Sequence, residues 1–145
     1  MVHALAEVRR VLVPNGILID IRPVGERWPI EVISARELKT TGRVNDLPEQ
    51  VNADEASNQA MTEVESRGWF RREQGELFPF FYSWDTPSEM DEFIADDWAD
   101  FIELSDETKR ATRAAWATGD ADTRVRVRMQ VLIARWRKIT SASQK

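Results

Sequence analysis

Apolar positions at Leu5, Val8 and Leu12, with Glu7, Arg9 and Arg10 set between them, recur at helical spacing and predict a helix over residues 2–12. Pro14-Asn15-Gly16 breaks that helix and reverses the chain. ILIDI, residues 17–21, is a short run rich in branched residues, which predicts a strand covered on both faces, as in a parallel sheet, ended by Pro23 and Gly25. IEVISARE alternates and predicts a two-stranded ribbon over residues 30–45, with its turn near Thr41-Gly42. From Asp46 to Gly68 the pattern is helical again. Asp46 and Glu49 have capping-box spacing, Pro48 suits a first turn, Ala53, Ala56, Ala60, Met61 and Val64 form an apolar stripe, and Gly68 suits the position after the last turn. WFRREQGELFPFFYSWD predicts a hairpin of residues 69–73 and 77–84 about Gln74-Gly75.

TPSE, residues 86–89, is the clearest local signal: Thr86 caps, Pro87 opens the helix and Glu89 reaches back. The stripe Met90, Phe93, Ile94, Trp98 and Phe101 follows, and Ser105 starts another helix ending near Gly119. In residues 123–137, Val125, Val127, Met129, Val131 and Ile133 alternate with Arg124, Arg126, Arg128 and Gln130, which predicts a strand with one wet face. Val125, Met129, Leu132 and Trp136 also fit a helix; the β-branched first half favours the strand. Residues 1–140 read as one domain and residues 141–145, SASQK, as a disordered tail.

The 145 residues suffice for a real core. The absence of cysteine excludes disulfides, thiolate metal sites and cysteine nucleophiles, and suits a reducing cytoplasm. No apolar run approaches the roughly 20 residues needed to span a bilayer, and His3, Glu7, Arg9 and Arg10 interrupt any signal-peptide core. A formal net charge of −5 disfavours nucleic acid as a partner. The arginines of residues 124–137 are the one local basic candidate. They read as a solvated strand face paired with the acidic helices, where serine replacements of Arg126 and Arg128 would leave folding nearly intact.

AEVRRVLVPNGILIDIRP resembles a segment of class I S-adenosylmethionine-dependent methyltransferases. In that family a helix ending in a pattern like L-x-E-x-x-R-V-L-x-P-G-G leads into strand five of a seven-stranded sheet. Leu5, Glu7, Arg10, Val11, Leu12, Pro14 and Gly16 match, and Asn15, which tolerates positive φ, replaces the first glycine of the pair. The resemblance implies that a helix, a strand, further elements and a last antiparallel strand follow. The fold class it implies is α/β, or α+β after truncation: a partial Rossmann-like methyltransferase sheet, mixed parallel and antiparallel, with flanking helices. The family's cofactor site lies in the first half of its fold, in a glycine-rich loop and an acidic residue, and this chain has no G-x-G motif. The chain is therefore expected to correspond to the C-terminal half, with no cofactor of its own; S-adenosylmethionine would bind only if a partner chain supplied the other half.

Asp20 interrupts ILIDI. Either it lies near the strand end in a cleft or it pairs with an arginine such as Arg22, since burying an unpaired carboxylate is costly. The resemblance implies that this strand's end approaches the substrate pocket, which makes Asp20, Arg22 and Trp28 pocket candidates. The aromatic cluster Trp69, Phe70, Phe78, Phe80, Phe81, Tyr82 and Trp84 is either core or interface, or a hydrophobic substrate site with Tyr82 and Trp84 in its lining. No catalytic or metal-binding residue is expected: His3 is a lone terminal histidine, and Asp91, Glu92, Asp96, Asp97 and Asp100 read as a solvated helix face.

Two functions follow from this reading. One is a non-catalytic, methyltransferase-derived domain that acts as a binding or assembly module, or is the product of a truncated reading frame. The other is the substrate-binding half of a split methyltransferase whose cofactor half is a separate chain. With strand four absent, one edge of residues 17–21 is expected to be unpaired, which favours a homodimer through ILIDI or through residues 69–84.

Overall fold

The computed structural model describes residues 1–140; SASQK lies outside them. The chain is a mixed α+β protein. Its order is α1 (Val2–Val11), β1 (Ile17–Val24), β2 (Pro29–Ile33), β3 (Leu38–Arg43), β4 (Asn45–Asp46), α2 (Pro48–Ser66), β5 (Phe70–Trp84), α3 (Pro87–Asp97), β6 (Ile102–Glu103), α4 (Asp106–Ala117) and β7 (Arg124–Lys138). It divides into two compact units. One comprises Met1–Pro23, Asn52–Phe78 and the chain from Val131; the other comprises Val24–Val51 and Pro79–Gln130.

In the first unit, β7 pairs with β1 and with β5. Lys138 N–H donates to Gly16 O at 2.8 Å. The start of β1 therefore meets the end of β7, and the two strands run antiparallel. Ile139 N–H donates to Trp69 O, and Glu73 meets Arg135 and Arg137, so β5 is antiparallel to β7 as well. The core is Met61, Val64, Phe70, Ala134 and Trp136, with Leu5, Val8, Leu12 and Leu18 against it. The apolar stripe of α1 thus packs with Met61 and Val64 of α2 against residues of β1, β5 and β7. Asn15 takes φ 60°, as the turn between α1 and β1 requires. Gly68, at φ 66°, ends α2 as expected.

In the second unit, β2 pairs antiparallel with β7 from Ile30 opposite Val127 to Ile33 opposite Arg124, and antiparallel with β3 on its other side. Ile30, Val44, Met90, Ile102, Val125 and Val127 are fully or almost fully buried. β3 lies close to α4: a methyl group on Gly42 would come within 2.5 Å of Thr108 Oγ1, and Thr41 Oγ1 hydrogen-bonds Thr112 Oγ1 at 2.7 Å. Thr86 accepts from Glu89 N–H, and the Glu89 carboxylate accepts in return from Asp85 N–H, so TPSE is a capping box displaced by one residue.

Four expectations are corrected. The ribbon turns at residues 34–37, not at Thr41-Gly42, because Ser34 accepts from the N–H groups of Arg36 and Glu37 and Ser34 N–H donates to Glu37 O. Residues 69–84 are not a hairpin. β5 continues through Gln74-Gly75, since β7 offers an equally long ladder and the Arg72 side chain fills the space beside Gly75. Asp46 does not cap α2; it sits in β4 and accepts from Arg27 N–H at 2.7 Å. ILIDI is not covered on both faces: Leu18 packs against the core, while Ile17, Ile19 and Ile21 are exposed on the other face.

Candidate functional site

In the first unit, β1 carries three exposed apolar side chains in alternation. Ile17, Ile19 and Ile21 are 42%, 48% and 62% exposed and share one face. Leu18, Asp20 and Arg22 alternate with them and are partly covered. Successive residues of a strand aim their backbone groups at opposite edges. Gly16 O accepts from β7, so the even-numbered residues face β7 and the odd-numbered ones face away. Among the described residues β7 is the only strand beside β1, which leaves an open edge carrying the amides of Ile17, Ile19 and Ile21. Pro23, next in that series, brings no N–H.

Two hollows flank the edge. One, of about 240 Å³, is lined by Met1 and Leu5, by Leu18–Arg22 and by Ser57 and Met61 of α2. The other, of about 290 Å³, is lined by Ile19, Ile133, Arg135 and residues 74–76. Asp20 and Arg22 lie together on the partly covered face of β1, and Arg22 Nε donates to Asp20 Oδ2 at 3.3 Å. Asp20 thus forms the ion pair with Arg22 and also lines the hollow.

Trp28, Tyr82 and Trp84 belong to the second unit. Trp98 joins all three, with ring centroids 6.2, 4.8 and 6.3 Å away, and Phe93 and Phe80 extend the cluster. Trp28 is buried, while Phe80 and Tyr82 are well exposed. The rings contact one another and form a packed aromatic surface. Asp20 and Arg22 are in the other unit, so the five pocket candidates form two groups. The aromatic set also separates: Phe70 is core, and Phe81 lies under Arg126, whose guanidinium is 4.2 Å from the ring centre.

The strand arginines are clamped by carboxylates that the sequence did not single out. Glu31 of β2, only 2% exposed, accepts from Arg126 Nε at 2.7 Å and from Arg128 Nε at 2.8 Å. Burial pushes its carboxyl up, but the two guanidinium hydrogen bonds and charges outweigh burial and hold it below the usual carboxylate range. Glu73 of β5 meets Arg135 and Arg137 in the same way. The Arg137 hydrogen bond holds the Glu73 carboxyl low, against partial desolvation, and Glu73 raises Arg137 in turn. Arg126, Arg128, Arg135 and Arg137 therefore pair with strand carboxylates and not with the acidic helices, while Arg124 meets Asp85, just before α3, at 2.8 Å. The signal for them was a lone glutamate in an alternating strand, Glu31 in IEVIS, opposite two arginines spaced i, i+2.

Among the described residues no group of histidine, aspartate and glutamate could hold a metal ion, and no helix is long and apolar enough to cross a membrane. His3 is exposed, and Asp91 pairs with Arg113 of α4 and so departs from the solvated face expected for it. No protein family, curated protein or solved structure matches the chain.

Proposed function

We propose that this chain is a non-catalytic assembly module derived from the C-terminal half of a class I methyltransferase fold. The observation that carries the assembly role is the open edge of β1 beside three exposed isoleucines. An unpaired apolar edge recruits another strand unless charge, proline or a covering element blocks it. In the family that β1 resembles, strand four stands on this edge. The order of α1, turn, β1, helix and final strand antiparallel to β1 supports the derivation. The cysteine-free composition suits a cytoplasmic setting.

The same edge favours a second reading, the substrate-binding half of a split methyltransferase, because a separate cofactor-bearing chain would join there. Titration calorimetry with S-adenosylmethionine and light scattering at micromolar concentration test these proposals together. The expected result is no saturable methyl-donor binding and a species larger than one chain. One-site donor binding by the chain alone would overturn the non-catalytic reading. A monomer at every concentration would overturn the assembly role.

A further inference from the structure

The geometry points to a second copy of this chain as the occupant of the β1 edge, paired antiparallel about a two-fold axis at Ile19. This inference rests on the assembly reading above and names its partner and register. The open edge presents its donors on Ile17, Ile19 and Ile21, bounded by the turn at Gly16 and by Pro23. An antiparallel pair of identical strands exchanges both N–H···O bonds wherever two such outward residues stand opposite.

With the axis at Ile19, Ile19 meets its own copy and Ile17 meets the partner's Ile21 on both sides, so all three donors of each chain are used. Moving the axis to Asp20 sets two like carboxylates directly opposite, which is unfavourable, and pairs Ile17 with a proline. Moving it to Ile21 pairs Ile19 with that proline and forfeits its bond. The chosen register also brings six isoleucines together on the exposed face, where each chain leaves three about half uncovered. The charges on the covered face do not oppose docking, because Asp20 and Arg22 neutralise each other within one copy at 3.3 Å. The hollow beside Leu18–Arg22, roofed by Leu5 and Met61, leaves room for the incoming side chains of the same face.

The chain has no cysteine, so single cysteines report this register cleanly. At the axis the two Cα atoms of residue 19 would stand about 5.5 Å apart, within disulfide range. Residue 17 would lie about 13 Å or more from its own copy, four residues along the ladder. Under mild oxidation, Ile19→Cys is expected to give a covalent dimer, and neither Ile17→Cys nor Ile21→Cys alone to do so. A mixture of the Ile17→Cys and Ile21→Cys chains should cross-link. Ile19→Lys, at an exposed position that tolerates the change, should lower the scattering mass of the reduced protein to that of one chain. Cross-linking by Ile21→Cys in place of Ile19→Cys would overturn the register. Association with none of these cross-links would overturn the two-fold pairing while leaving the assembly role standing. A wild-type monomer would remove both.

Discussion

Arg126 Nε lies 2.7 Å from Oε2 of Glu31, on a carboxylate that the fold has withdrawn almost entirely from water. Arg128 holds the other oxygen, and the β2–β7 register places Glu31 directly opposite Arg126. One buried negative charge therefore joins two like charges on one strand face, Arg126 largely covered and Arg128 partly exposed, and the paired guanidinium groups offset the cost of burying Glu31.

Changing Arg126 and Arg128 together to serine should destabilise the protein at neutral pH, contrary to the expectation for a wet strand face. Removing the partners of a buried charge costs about 3–5 kcal/mol. The lower end applies here, because Arg128 is partly exposed. Urea denaturation reads the loss as a fall in midpoint. An unchanged midpoint would mean that Glu31 finds water when its partners are gone.

The same triad predicts an acid response. The folded state holds the Glu31 carboxyl below its ordinary value of 4.5, so the unfolded chain takes up its proton first. The stabilisation is complete above about pH 4.5 and declines as pH falls through the lower folded-state value. Glu73, held low by Arg137, acts in the same direction. Stability measured from neutral pH into the acid range should fall less steeply in Glu31→Gln than in the wild type, although the variant starts lower. Parallel profiles for the two proteins would remove Glu31 from the account.

Asn15 provides a third test. Its φ of 60° belongs to the left-handed region, where a branched side chain clashes with the backbone. Its carbonyl also accepts from Arg137 at 2.9 Å, which ties the turn to β7. Asn15→Val should lose about 1–2 kcal/mol, and Asn15→Gly should stay within about 0.5 kcal/mol of the wild type. Equal losses from the two variants would show that the Asn15 side chain, and not the backbone angle, is what matters there.

Local signals were legible wherever one element could satisfy itself. Leu5, Val8 and Leu12 define a helix whatever lies beneath it, Thr86-Pro87 and Glu89 close a cap within four residues, and Asn15 accepts its turn from its own side-chain chemistry. The strict alternation of Val125, Val127 and Met129 likewise identified β7 from its own period.

Pairing was not legible, because a strand's partner is a choice among distant segments. Gln74-Gly75 is a good turn in isolation, yet a long β7 ladder outweighs it and keeps β5 extended. ILIDI reads as buried because five apolar or paired residues run together, but only tertiary structure decides that helices cover Leu18 and Asp20 while Ile17, Ile19 and Ile21 face outward. The candidate site divides on the same line. Asp20 and Arg22 are two residues apart on one strand face, so their pairing was foreseeable. Glu31 and Arg126 are 95 residues apart and meet only because β2 and β7 share a register. By itself the sequence determined the long helices and the alternating strands, but not the short β4 and β6 or the unbroken length of β5. The long-range ladders decided which edges stay open and which charges are buried, since those energies exist only once the chain has closed on itself.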